Sequence, residues 1–424
     1  MKYKTYNCNS FRIHTIKTDK FKTCHLEIVF RKELKKEQLP AYFLLADLLT
    51  ESSKLYPTKK ALTIRLEELY KVSFFAAAQK EGKMLLTNIM YSFISPKYIN
   101  DKNYFEEVLS FPFETILNPN VENEEFLVSQ VDLLKKRMAL DIRSIEESGI
   151  RISLFNAFKK MDKDSITSLR MCGTIEDLEL LTPSYLYQTY KDLLKNNICD
   201  IFLVGNIDMD KAVNVIKKAF NYHIINNQKI DLIVDNKVRK KALVCQEKGP
   251  FLQANLVLLY NMIGLTKKEK DCVMQVFNYI LDSGGLKSKL YEEIREKNSY
   301  CYSIESMTFK YDNILAIHVG LDNKNIKEAI NKIKKVVNDM GKDLVTQEDL
   351  DYAKDNLASS LKLRDDNPFS LTNTMLFKLI DNSPDTEELK VLLKSINLDE
   401  VRNFAKKLKL NTLYVLEGKD NEED

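Results

Sequence analysis

The chain has 424 residues, which is too long for one ordinary hydrophobic core, so its length favours two domains. Hydrophobic residues make up 44% and charged residues 29%, no apolar run approaches the roughly 20 residues of a membrane span, and a net charge of +3 leaves no electrostatic footprint for nucleic acid. The opening Met-Lys-Tyr-Lys-Thr-Tyr lacks the apolar region of a secretory signal, and the seven cysteines never form C-x-x-C, which argues against a disulfide framework or a thiolate zinc site and points to the cytoplasm.

In chain order, "CHLEIVF" at residues 24–30 reads as a strand. Two helical stripes follow, Leu44, Leu45, Leu48 and Leu49 and then Leu62, Leu66 and Leu69. "VSFFAAAQ" and "MLLTNIMYSF" read as a hairpin, and a long helical stretch includes "VSQVDLLKKRMALDIRSIEE". Thr182 and Pro183 open a helix with Leu186, Tyr190 and Leu193 on one face, and the strand Ile201 to Val204 ends at Gly205.

The plan then repeats. "QANLVLLY" at residues 253–260 answers the first strand. Val273, Val276, Phe277 and Ile280, followed by Leu286, Leu290 and Ile294, answer the helical stripes. Ser283, Gly284 and Gly285 end one helix and let the next begin. "CYSIESMTF" and "NILAIHVG" answer the hairpin. Asn397 with Glu400 forms a capping box ahead of Val401, Phe404 and Leu408, and the strand Leu413 to Leu416 ends near Gly418. Self-similarity at this scale predicts an α+β fold of two homologous domains in tandem, each an antiparallel-rich sheet with helices on one face. The expected division is 1–225, a linker at 226–242, and 243–424. His25 and His318 lie in expected strands, His14 and His223 in expected loops or boundaries, and all four read as structural.

The stretches "GTIEDLELLTPSYLYQTYKDLLKNNICDIFLVGNID" and "LDSGGLKSKLYEEIREKNSYCYSIES" resemble the inverzincins, the pitrilysin, insulinase and mitochondrial processing peptidase group, over nearly the whole chain. The resemblance implies the LuxS/metallopeptidase-like duplication, two such halves closing around an unfolded peptide, and zinc held by H-x-x-E-H on the first helix. In this chain the matching helix, "PAYFLLADLLTESSKLYPTKKAL", has Tyr42, Leu45 and Ala46 at the His, Glu and His positions. Leu and Ala offer a metal no lone pair, and Tyr does not replace a neutral imidazole, so this chain is expected to bind no metal of its own. In family members the non-metal half supplies an Arg and a Tyr that hold the substrate backbone beside the scissile bond, and the matching residues here are Arg295 and Tyr302. "EIVF" at 27–30 resembles the edge strand to which family substrates add.

By this resemblance the chain is a non-catalytic subunit, no peptidase alone, that pairs with a zinc-bearing homologue to position a peptide. Bacterial pairs of this kind process small ribosomal peptides or support modification of a translation factor. The alternative is a binding or scaffold protein that keeps the fold for partner contact only.

Overall fold

The computed structural model describes residues 2–8, 10–221 and 229–419, so His223 and part of the expected linker lie outside the described residues. The first unit comprises Met1–Arg143, Arg170–Leu232 and Asp366–Asn373; the second comprises Ser144–Leu169, Ile233–Asp365 and Thr374–Asp424.

The strands of the first unit are β1 (Lys2–Cys8), β2 (Phe11–Lys17), β3 (Thr23–Glu33), β4 (Ser73–Glu81) and β5 (Met84–Ile94), a short hairpin β6 (Val121–Glu122) and β7 (Glu125–Phe126), and β8 (Ile198–Gly205). Its main sheet runs β1-β2-β8-β3-β5-β4, with β2 and β8 parallel and the remaining pairs antiparallel. The second unit holds β9 (Leu243–Lys248), β10 (Ala254–Met262), β11 (Cys301–Phe309), β12 (Ile314–Leu321) and β13 (Leu408–Glu417), in the order β11-β12-β10-β13-β9, with β13 and β9 parallel. Read from β4 and from β11, the two sheets match strand for strand over five positions, and β1 is an addition to the first. The repeat legible in sequence is therefore a repeat of topology. Each sheet also gains a strand parallel to its last one, β2 or β9, that the sequence patterns did not reveal.

The helices follow the expected stripes. In the first unit α1 (Leu39–Glu51) packs on β4 and β5 with Leu44, Leu45, Leu48 and Leu49 all buried. In α2 (Lys59–Glu68) Leu62 is the buried residue of the helix. Next come α3 (Tyr104–Leu117), α4 (Val128–Glu146), α5 (Gly149–Met161) and α6 (Ile175–Leu180). Thr182 caps α7 (Pro183–Asn196) by accepting from the Tyr185 N–H, and Asp208 caps α8 (Met209–Ala219). In the second unit α9 (Met274–Asn278) continues into π-helical turns on both sides. It is followed by α10 (Ile326–Asp339), α11 (Gln347–Arg364), α12 (Pro368–Asp381), α13 (Thr386–Ser395) and α14 (Leu398–Lys406), the last opened by the expected Asn397 and Glu400 capping box.

Several expectations need correction. His14 lies within β2, not in a loop, because its strand is short and mixed in polarity. Leu286 is 66% exposed, since the chain turns at Gly284 and Gly285 before the next helical turn begins. Leu408 begins β13 and is not a residue of α14. Helices on one face describes the second sheet incompletely. Leu256, Leu258 and Tyr260 of β10 join the main core, whereas the alternate residues Val257 and Leu259 pack with Ala157, Phe158 and Met161 of α5. A helix that precedes the expected division in sequence thus lies on the second sheet.

The stretch before β9 is held by backbone bonds. The Lys83 N–H donates to the Leu232 carbonyl in the first unit, and the Val234 N–H donates to the Tyr311 carbonyl in the second.

His318 is buried in β12 beside Asn255, its Nε2 being 3.1 Å from the Asn255 Oδ1, and burial lowers its pKa to about 4. The unfolded chain therefore binds a proton through a range where the folded chain does not. Stability falls as pH drops from about 6.5 toward 4, and His318→Gln flattens that part of the profile. Urea unfolding across this pH range checks it; an unchanged slope in the variant refutes it.

Candidate functional site

The three residues matched to the zinc motif by resemblance lie on α1. Tyr42, Leu45 and Ala46 are all buried. The Tyr42 hydroxyl donates to the Asp192 Oδ2 at 2.6 Å, and the same carboxylate oxygen accepts from the Lys32 Nζ. Burial and the neighbouring Asp192 carboxylate push the Tyr42 phenol far above its ordinary pKa. For Asp192 burial acts in the opposite direction, but donors from Asn196, Lys32 and Tyr42 outweigh it and hold the carboxyl below its usual value. Lys32 from β3, Tyr42 from α1 and Asp192 from α7 form a closed donor–acceptor set, flanked by two apolar side chains. Zinc does not fit here: the hydroxyl is committed as a donor, and the other two positions provide no ligand atom. Among the described residues no group of three or more His, Cys, Asp or Glu is arranged to hold a metal ion.

The expected substrate-holding pair is built differently. Arg295 lies in the last turn of the π-helical segment Tyr291–Glu296, exposed, with its guanidinium 5.2 Å from the Tyr291 ring centre. Ser299 ends the segment in the left-handed region at φ 52°, and the Tyr300 N–H returns to the Ile294 carbonyl. The strand β11 then starts with a bulge: Cys301 pairs with Leu321 and Ser303 with Gly320, so Tyr302 is the extra residue. A bulge re-aims a side chain. Cys301 enters the core at 8% exposure, and Tyr302 is left 54% exposed at the open edge of the sheet. Burial pushes the Cys301 thiol up to about 11, with the nearby Arg295 charge acting against it.

Arg295 and Tyr302 share no hydrogen bond. The Tyr302 hydroxyl donates to Asp322, 3.1 Å from each carboxylate oxygen, and this acceptor raises the phenol's pKa. Arg295 has no ion pair with the acids of its own segment among the described residues, and Glu293 is taken by Lys297 and Lys332. The segment that separates the two residues was legible in sequence; their local partners, Tyr291 and Asp322, were not.

A correction concerns "EIVF". The strand β3 is flanked by β8 and β5 and has no free edge; the open edges of the first sheet are β1 and β4. The alternate residues of β3 instead contribute to a polar face that sequence reasoning missed. Asp200 of β8 is buried and accepts from Arg12 and His14 of β2 and from Arg31 of β3. Burial opposes its ionisation, but the His14 hydrogen bond and both guanidiniums hold the carboxyl well below the carboxylate range. The His14 Nε2 therefore donates to Asp200, and its Nδ1 lies 2.9 Å from the Tyr3 hydroxyl. Further along the same face the His25 Nδ1 is 2.9 Å from the Ser92 hydroxyl, and Phe369 meets the His25 ring edge-on. Burial raises the pKa of Glu27, with His25 at 3.4 Å opposing it. The alternation of polar residues within β2 and β3 was the available signal.

The comparisons with known proteins agree with this fold. Residues 181–357 match the family model described as the Peptidase M16 inactive domain. The chain is 25% identical over 414 residues, 96% of its length and 95% of the relative's, to the probable inactive metalloprotease YmfF of Bacillus subtilis. It superposes on a conserved protein from Enterococcus faecalis with a TM-score of 0.92 at 24% identity, each chain fully covered. A peptidase M16 inactive domain from Pseudomonas fluorescens gives 0.80 at 15% identity, again with full coverage of both.

Asp192→Asn should destabilise the fold by about 1.5–3 kcal/mol at neutral pH, because three donors, Lys32, Tyr42 and Asn196, lose an ionised acceptor. The native carboxyl has a depressed folded pKa, so its advantage is present above the unfolded value near 4 and fades as pH falls below it. Denaturant midpoints of the two proteins should converge in acid; a constant gap refutes the assignment. The chain has an M16-type fold, no H-x-x-E-H, and homology to the probable inactive metalloprotease YmfF, and this fits a non-catalytic role.

Proposed function

We propose that this chain is the non-catalytic half of a heteromeric zinc peptidase. In this reading a homologous chain bearing H-x-x-E-H supplies the metal, base and water. The present chain helps to enclose an unfolded peptide in the cytoplasm and offers Arg295 and Tyr302 to its backbone. The observation that carries the proposal is the contrast between the two inherited positions. The metal position is closed by the Tyr42, Asp192 and Lys32 set, whereas Arg295 and Tyr302 remain exposed beside the open edge strand β11. A guanidinium and a phenol are donors suited to a peptide carbonyl or to the oxyanion of a tetrahedral intermediate, a contribution of about 3–4 kcal/mol per donor where it is realised.

The second reading, a scaffold that keeps the fold for partner contact, is favoured by one observation. Both side chains already have local partners, Tyr291 and Asp322, and Tyr302 would have to exchange its carboxylate for a substrate carbonyl.

The test begins with isolation of the chain and its companions from the native extract. A stoichiometric homologue bearing H-x-x-E-H is the expected result. The reconstituted pair should then lose roughly 100-fold in kcat/KM on Arg295→Ala or Tyr302→Phe, with assembly unchanged. Full turnover with either variant would leave the scaffold reading in place. The product of the reconstituted pair would identify the substrate class, whether small ribosomal peptides or a precursor linked to translation-factor modification.

A further inference from the structure

A concavity in the first unit, apart from both inherited positions in its lining residues, carries more positive than negative side chains. A cleft of about 720 Å³ opens between the end of β2, the turn at Pro96, the start of α3 and the entry to α8, and it adjoins a second hollow of about 390 Å³ that shares Lys17 and Asn206. Lys17, Lys97 and Lys102 line the first, and Lys2 lines the second beside Lys17. All four are exposed, and none has a carboxylate within ion-pair distance among the described residues, although Lys17 acts on Asp210 at longer range and Lys97 lies 6.0 Å from the Tyr98 ring centre. The fifth lysine, Lys211, is neutralised by Asp208 at 3.4 Å.

Lys2 and Lys17 are directly opposite each other in the antiparallel β1–β2 pair. Like charges at opposed strand positions are destabilising. A lysine on an edge strand can also discourage unwanted strand pairing, and β1 is such an edge. That role does not extend to Lys97 and Lys102, which lie in the turn and loop before α3. The lysines of the two hollows outnumber the carboxylates that line them, Asp19, Glu106 and Asp208, and this surplus of positive charge suits an external anion.

We infer that this cleft docks an acidic peptide segment of another protein. A nucleic-acid backbone calls for a continuous positive track. Here Asp19 and Glu106 interrupt the lysines, and Phe105 and Ile207 add apolar wall between them. That alternation suits carboxylates separated by apolar side chains. The inference rests on the first unit alone and does not depend on the chain having a peptidase partner.

Fluorescence anisotropy of the full chain with a labelled short peptide of alternating Glu and Leu tests it. Binding should weaken about tenfold or more when Lys17, Lys97 and Lys102 are together changed to Glu, and should return in the corresponding Lys→Arg protein. It should also weaken as salt shortens the screening length. Circular dichroism establishes that the charge-reversed chain is folded. Equal binding of a Gln-Leu peptide, equal binding by the charge-reversed chain, or displacement of the peptide by a lower concentration of single-stranded oligonucleotide would each overturn the assignment, the last in favour of a nucleic-acid surface.

Discussion

The first sheet depends on one buried carboxylate. Asp200 is on β8, and its ligands come from the strands on either side, Arg12 and His14 from β2 and Arg31 from β3. Removing any one of these donors leaves a buried charge short of compensation, which is costly in a low-dielectric interior. A one-residue slip of β2 or β3 would turn its polar residues to the opposite face and separate them from Asp200. The cluster therefore favours one register of three strands.

That register has consequences for the surroundings of Tyr42. Lys32 follows Arg31 on β3, so its side chain leaves the sheet on the other face, where Tyr42 and Asp192 receive it. The strand thus contributes to two charge networks on opposite faces. The carboxylate that anchors Tyr42 serves as a hydrogen-bond acceptor inside the fold. At this position the chain has a packed helix whose Tyr42 hydroxyl is bonded to Asp192, not an open cavity.

The second sheet uses a different solution. Its alternate β10 residues are apolar on both sides, and α5 covers the side that in the first sheet is polar. What distinguishes the second unit is the start of β11, where a bulge permits adjacent residues to serve different ends: Cys301 fills the core while Tyr302 projects from the edge. Fold and exposure at this site are thus set by one extra residue in a strand.

Much of this molecule was legible from sequence because it rests on local rules. Hydrophobic periodicity located α1 and the helical stripe of Val273, Val276 and Phe277; Thr182 and Asn397 marked helix starts; and the repetition of strand, helix and hairpin disclosed the duplication. The absence of a histidine pair is likewise a property of the sequence itself. Tertiary structure alone decided what depends on partners distant along the chain. It made β3 a central strand, joined Lys32 to Asp192 across 160 residues, carried α5 onto the second sheet, and gathered Lys17, Lys97 and Lys102 at one cleft. Periodicity determines which face of an element is buried, but not which neighbour buries it, since that choice is made by the packing free energy of the whole chain.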